Sequence, residues 1–167
     1  KAVAVLDGGL PAWQAAGGAL TTDVIQRPRG SITLQASLAT TVSADDVLAN
    51  LSAKARTVLD ARANDRFRGE NETLDPVAGH IPGAKNRFFK DNLQADGRFK
   101  PADELRADYG ALIKSPESTI AQCGSGISAC HNLLGMEIAG LSGAALYPGS
   151  WSEWCADASR PVATGQP

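Results

Sequence analysis

The chain has 167 residues, of which 43% are hydrophobic and 20% charged, and this length accommodates one domain with a full core and hardly two. Its formal net charge of −2 argues against nucleic acid or an anionic membrane as the main partner, and no apolar run approaches the ~18 residues of a membrane span. Three cysteines do not form a disulfide framework, which indicates a reducing compartment, taken to be the cytoplasm. No signal peptide is evident, but because the chain begins with Lys1 we expect further residues to precede it.

The first twenty residues repeat a pattern found near the other end of the chain. Residues 3–6 are strand-like, and residues 7–13 then turn into a short helix that ends at residues 17–18. The same order occurs at residues 144–154, and a shift of 141 positions (149 − 8) lays Gly8 on Gly149 and Trp13 on Trp154. A repeat with the period of a domain predicts that residues 1–20 are the last strand and helix of an earlier domain copy.

Residues 21–41 have weak periodicity and are predicted to form an interdomain linker. A β-prone run at 31–34 fits either this linker or the domain that follows. That domain, residues 42–167, opens with a predicted helix at 44–51, for which Ser43 supplies the N-cap and Asp45 and Asp46 supply acids in the first turn.

Short apolar runs then alternate with helical patterns. The predicted strands lie at 57–60, 85–87, 118–121 and 144–147, and the predicted helices lie at 101–112 and from Ile127 onward, with a helix or loop at 64–69. Residues 69–79 are predicted to be a polar, acidic surface loop. This order predicts an α/β fold with a central, mostly parallel sheet covered by helices on both faces. The loops after the strands would then build the site.

The chemistry is concentrated where the strand at 118–121 meets the helix that begins near Ile127. Cys123 ends the strand, and Gly124-Ser125-Gly126 follow it. Glycines let successive backbone N–H groups converge on one centre, and the helix N-terminus adds unpaired N–H groups and a positive dipole end. A thiol in this position is expected to ionise readily and to act as a nucleophile. The ordinary alternative is a small buried cysteine beside a glycine turn.

Residues 123–129, CGSGISA, resemble the active-site loop of the rhodanese superfamily, in which valine and threonine stand at the positions of Ile127 and Ser128. Further matches follow in the order of the family: LDAR at 59–62, RFRG at 66–69, GHIPGA at 79–84 and YPGSWSEW at 147–154. The resemblance implies a rhodanese-like three-layer α/β/α fold. It identifies residues 42–167 as similar to the C-terminal catalytic domain of tandem thiosulfate or 3-mercaptopyruvate sulfurtransferases, with an N-terminal rhodanese domain as the partner.

The resemblance also implies a mechanism that uses no cofactor and no metal. Cys123 would take a sulfane sulfur from thiosulfate or 3-mercaptopyruvate as a persulfide and pass it to cyanide or another thiophilic acceptor. Arg66 would bind the anionic end of the donor, unless it only forms a surface ion pair, and Ser128 would donate a hydrogen bond to the sulfur, unless it is an ordinary helix residue. The remaining assignments are supporting ones, in which Asp60 and Arg62 hold each other and the loop, His80 fixes its turn, and Trp151 and Trp154 pack the domain.

The donor stays open between these two molecules. The mercaptopyruvate enzymes carry a second arginine in the acidic loop, and residues 70–75 here have none. The thiosulfate-preferring mammalian loop carries Arg-Lys after the cysteine, where this chain has the neutral Gly124 and Ser125.

Three other functions fit the sequence less well. A cysteine-dependent phosphatase needs Cys-x5-Arg, but Ala129 occupies the arginine position. A non-catalytic regulatory or sulfur-carrier module of the same fold usually lacks the cysteine. A redox switch between Cys123 and Cys130 would need a disulfide that spans about 10 Å of helix, which is too far without distortion.

Overall fold

A computed structural model describes residues 3–166; residues 1, 2 and 167, which fall within the predicted domain limits, lie outside the described part. The described residues form six α-helices, four β-strands and one 3₁₀ helix, Phe89–Asn92. In chain order these elements are α1 Gly9–Ala15, α2 Ala44–Ala53, β1 Thr57–Asp60, α3 Asn64–Arg68, β2 Lys85–Asn86, α4 Ala102–Gly110, β3 Thr119–Gln122, α5 Ile127–Ile138, β4 Ala145–Leu146 and α6 Ser150–Ala156.

The four strands form one parallel sheet in the order β2-β1-β3-β4. β1 and β3 are the central pair, and their register places Asp60 beside Gln122. Because parallel strands end at the same edge of a sheet, the loops after β1, β2 and β3 meet there. The predicted parallel sheet is therefore confirmed.

Helices cover both faces of this sheet. Side chains of a strand point alternately to the two faces of the sheet. On the face covered by α2 and α6, Ile120 of β3 packs against Trp151 and Trp154. On the face covered by α4 and α5, Leu59 of β1 packs against Tyr109 and Met136. Both tryptophans are fully buried. The three-layer α/β/α architecture follows from these two cores.

Residues 3–41 differ from the predicted pattern. α1 forms as expected, but residues 3–6 and the β-prone run at 31–34 form no strand within the described residues. An isolated strand leaves its backbone N–H and C=O groups without partners, so β-propensity alone does not produce one. The segment joins the sheet at its end, where the carbonyl of Thr40 accepts from the N–H of Leu146 at 2.9 Å and Thr41 bridges to Leu146.

Within residues 3–166, no helix combines the length and the apolar character that crossing a bilayer requires.

Candidate active site

Cys123 lies directly after β3, 2% exposed, among the buried residues at the carboxyl edge of the sheet. Its backbone is fixed by the start of α6, since its N–H donates to Ser150 Oγ at 3.1 Å and its carbonyl accepts from the N–H of Trp151 at 3.0 Å. Ser150 is itself fully buried, and its hydroxyl donates to the carbonyl of Tyr147 at 2.9 Å. The sulfur is therefore carried on a rigid backbone.

The loop after Cys123 leaves a row of backbone donors available. Within residues 3–166, no acceptor takes the N–H groups of Gly124, Ser125, Gly126, Ile127 or Ser128. Gly126 has φ +83°, and a Cβ added to it would lie 2.6 Å from the carbonyl oxygen of Pro148. Only glycine fits here, both for its conformation and for the space. The loop can thus present N–H groups to an anion at the sulfur.

A cavity of about 590 Å³ opens beside Cys123. Its walls come from the loops that follow β1, β2 and β3, as the topology requires. The lining residues outside the Cys123 loop are Ala61, Arg62, Ala63, Arg66, Leu74, Asp75, Phe88, Phe89, Lys90 and Ser152.

Arg66 contributes a cation to this wall, but its guanidinium is already held by two carboxylates. Its Nη2 lies 2.8 Å from Glu72 Oε1 and 3.2 Å from Asp75 Oδ2. Nη1 has no hydrogen-bond partner within the described residues, and a Cβ built on Gly124 would lie 3.7 Å from it. Arg66 therefore offers one edge of its guanidinium toward the Cys123 loop while the other edge is occupied.

Glu72 is buried beneath Arg66, with a side chain 2% exposed. Burial alone would raise the pKa of this carboxyl, but hydrogen bonds from Arg66 and from the N–H groups of Leu74 and Asp75 outweigh that effect and lower the pKa. The acidic loop was predicted to lie on the surface, and this prediction is wrong for Glu72, because its ion pair with Arg66 draws the side chain inward.

Asp60 and Arg62 form a second buried pair just below the cavity. Arg62 Nη2 lies 2.7 Å from Asp60 Oδ2 and also donates to the carbonyl of Gly79 at 2.7 Å. The guanidinium stacks over Trp151, 4.6 Å from the ring centroid. These contacts tie the end of β1 to the far end of the acidic loop.

Two further predicted residues have simple surroundings. Ser128 lines the cavity, but no hydrogen bond joins its hydroxyl to the Cys123 sulfur within the described residues, so that role stays a prediction. The ring of His80 stacks on Phe67, and its Nδ1 lies 2.8 Å from the carbonyl oxygen of Phe67. Burial lowers the pKa of His80.

Within residues 3–166, no three His, Cys, Asp or Glu side chains are grouped so as to hold a metal ion.

Sequence reasoning missed the charged residues Glu72, Asp75 and Lys90. Lys90 lies in the 3₁₀ helix after β2, and its position after a strand of a parallel sheet was a usable signal. The acids had no such signal, since they lie in an irregular loop whose path the sequence does not define.

The protein-family model of the rhodanese-like domain matches residues 43–157 of this chain. The chain belongs to this family. A probable 3-mercaptopyruvate sulfurtransferase of Pseudomonas aeruginosa is 48% identical over 165 residues, which cover 98% of this chain and 58% of that protein. The human 3-mercaptopyruvate sulfurtransferase is 36% identical over 156 residues, which cover 92% of this chain and 52% of that protein. The chain thus spans little more than half the length of these relatives.

Solved structures agree on the fold. The wild-type structure of EanB superposes with a TM-score of 0.82 at 21% identity, over 97% of this chain and 41% of that one. The crystal structure of the Tum1 protein from Saccharomyces cerevisiae superposes with a TM-score of 0.66 at 26% identity, over 77% of this chain and 47% of that one. At 21% identity, the likeness to EanB concerns the fold alone.

Proposed function

We propose that this chain is the catalytic domain of a sulfurtransferase, in which Cys123 carries the transferred sulfur as a persulfide. The thiolate attacks the outer sulfur of thiosulfate, the S–S bond of the donor breaks, and sulfite leaves with the electron pair. With 3-mercaptopyruvate the C–S bond breaks instead, and the carbon keeps the electron pair and takes the proton of the donor thiol to give pyruvate. Cyanide then attacks the outer persulfide sulfur, which releases thiocyanate and restores the thiolate.

The observation that carries this proposal is the setting of Cys123. It lies at the wall of a cavity, next to five backbone N–H groups that no acceptor in residues 3–166 uses. Such groups stabilise negative charge on the thiolate and on the persulfide alike. The names of the relatives, which are 3-mercaptopyruvate and thiosulfate sulfurtransferases, support the same reaction class.

Arg66 is proposed to bind the anionic end of the donor. Its free Nη1 edge lies near Gly124, and a guanidinium suits a carboxylate or a sulfonate-like group. Ser128 is proposed to donate a hydrogen bond to the sulfur after a rotation of its side chain, because it lines the same cavity.

We also propose that the full-length protein carries an N-terminal rhodanese domain, that residues 1–20 are part of this domain, and that residues 21–41 are the interdomain linker, so that the domain shields residues 3–41 from solvent. This segment leaves many large apolar side chains in solvent, among them Ile32 and Leu34 at 89% and 88% exposure. The relatives are nearly twice as long as the chain, which leaves room for such a domain. Limited proteolysis should cleave residues 19–41 quickly in this chain and slowly in the full-length protein. Equal cleavage in both would contradict the proposal.

The cytoplasm is the proposed compartment, supported by three free cysteines. The proposed partners are a small sulfur donor, a thiophilic acceptor and the N-terminal domain.

Intact-mass measurement tests the reaction. The full-length protein is incubated with thiosulfate and, separately, with 3-mercaptopyruvate, and the same is done with Cys123→Ser. We expect a gain of one sulfur atom that cyanide removes and that the variant never shows. No gain from either donor would contradict the proposal.

A further inference from the structure

Asp75 is a part of the cavity wall to which the resemblance assigns no role. Its side chain is 9% exposed, and both of its oxygens are used. Oδ2 lies 3.2 Å from Arg66 Nη2, and Oδ1 accepts from the hydroxyl of Ser152 at 2.6 Å. Asp75 is therefore fixed beside the cation proposed to bind the donor, and Ser152 anchors it to α6.

The formal charges around the cavity cancel before any ligand enters, because the three cations Arg62, Arg66 and Lys90 are matched by the three carboxylates Asp60, Glu72 and Asp75. Arg62 is neutralised by Asp60, and Arg66 is shared between Glu72 and Asp75. Lys90 is the remaining cation of the lining.

In the proposed sulfur transfer Cys123 reacts as a thiolate, which adds one negative charge that the lining does not compensate. This excess negative charge repels a donor with two negative charges more strongly than a donor with one.

We propose that Asp75 makes the cavity favour sulfur donors with one negative charge over donors with two, through its contact with Arg66. This inference rests on the proposed sulfur transfer. 3-Mercaptopyruvate carries one negative charge, on its carboxylate, and thiosulfate carries two. Asp75 contacts neither sulfur nor donor in this account. It acts as a specificity-determining residue by holding Nη2 of Arg66 and by adding its own negative charge.

The test is the ratio of kcat/KM for 3-mercaptopyruvate to kcat/KM for thiosulfate, measured in the full-length protein with cyanide as the acceptor. Asp75→Asn keeps an oxygen that can accept from Ser152 but removes the charge, and we expect the ratio to fall by about tenfold. The matched control is Glu70→Gln, which removes the same charge from the same loop at an exposed side chain paired with Arg68. It should leave the ratio unchanged.

A ratio that Asp75→Asn leaves unchanged would overturn the inference, as would a wild-type protein that prefers thiosulfate. If the wild-type protein takes sulfur from neither donor, the proposed function itself fails. That outcome is distinct from an unchanged ratio.

A second measurement needs no variant and so does not depend on whether Asp75→Asn folds. Added salt screens repulsion more strongly for a donor with two charges. The wild-type ratio should therefore fall as potassium chloride is raised from about 0.01 M to about 0.3 M. A ratio that rises or stays constant with salt would count against the inference.

Discussion

Residues 42–166 and residues 3–41 use similar apolar side chains in opposite ways. In the first region Leu59, Trp151 and Trp154 are fully buried against the sheet. In the second region the large apolar side chains are exposed throughout: Val3, Val5, Leu6, Leu10, Trp13, Leu20, Val24, Ile25, Ile32, Leu34 and Leu38. An apolar sequence becomes core only where a sheet or helix face is present to receive it. The proposed N-terminal domain would supply such a face for residues 3–41.

Charged residues show the same contrast. Around the cavity, Arg62 and Asp60 are 1% and 0% exposed and pair with each other, whereas Arg27 and Arg29 lie in solvent. Buried charges need partners, so a substitution should be costly in one region and nearly free in the other.

The largest expected effect is on folding stability, for Arg62→Met. This change leaves Asp60 buried without its partner, and breaking a buried pair costs about 3–5 kcal/mol. Urea unfolding of this chain should show the loss. The counterpart in the other region, Leu34→Ser, should change the free energy of unfolding by less than about 0.5 kcal/mol. Equal losses for the two variants would remove the contrast.

Arg66→Gln tests the cation at the cavity. Losing one or two charge-assisted hydrogen bonds to the donor should lower kcat/KM by roughly 10- to 100-fold. Arg29→Gln is the matched change at an exposed arginine of residues 3–41 and should leave kcat/KM as it is. If Arg66→Gln turns over both donors at the wild-type rate, Arg66 does not bind them.

Gly126→Ala tests whether the turn after Cys123 requires glycine. The added Cβ would have to occupy a positive φ and would lie 2.6 Å from the carbonyl oxygen of Pro148, so we expect a loss of about 1–3 kcal/mol in unfolding free energy. A Cβ added at Gly30 would meet nothing within 4 Å, so Gly30→Ala should not reduce stability. A Gly126→Ala protein with wild-type stability would show that the loop can move away from Pro148.

The smallest effect concerns acid stability. The pKa of Glu72 is lowered in the folded protein, since its hydrogen bonds outweigh burial. Its carboxylate therefore adds stability at every pH above the unfolded value of about 4.3, and this contribution is lost as the pH falls through the lower folded value. The stability difference between the wild type and Glu72→Gln should shrink between pH 6 and pH 3 in urea unfolding. A difference that is constant over this range would contradict the assignment.

The sequence predicted the parts of the fold that depend on local patterns. β1 at residues 57–60 and the helix that begins at Ile127 follow from short apolar runs and from helical spacing, and the Cys123 loop follows from its glycines. The strand at 3–6 was predicted by the same reasoning and does not form, because pairing depends on a neighbour that local pattern cannot supply.

The site was predictable only in part, for a similar reason. Cys123 and Arg66 belong to motifs, but the placement of Glu72 and Asp75 depends on the path of an irregular loop across the carboxyl edge of the sheet. Motif spacing does not encode that path. The counter-charges of Arg66 therefore appear only in three dimensions.

The most direct test of the account is to find which cysteine carries the sulfur. In addition to Cys123, the protein has Cys130, which is exposed on α5, and Cys155, which is buried in α6. After incubation with 3-mercaptopyruvate, alkylation and peptide mass spectrometry should place the added sulfur on the Cys123 peptide alone. Added sulfur on the Cys130 or Cys155 peptide, with Cys123 unmodified, would contradict the account.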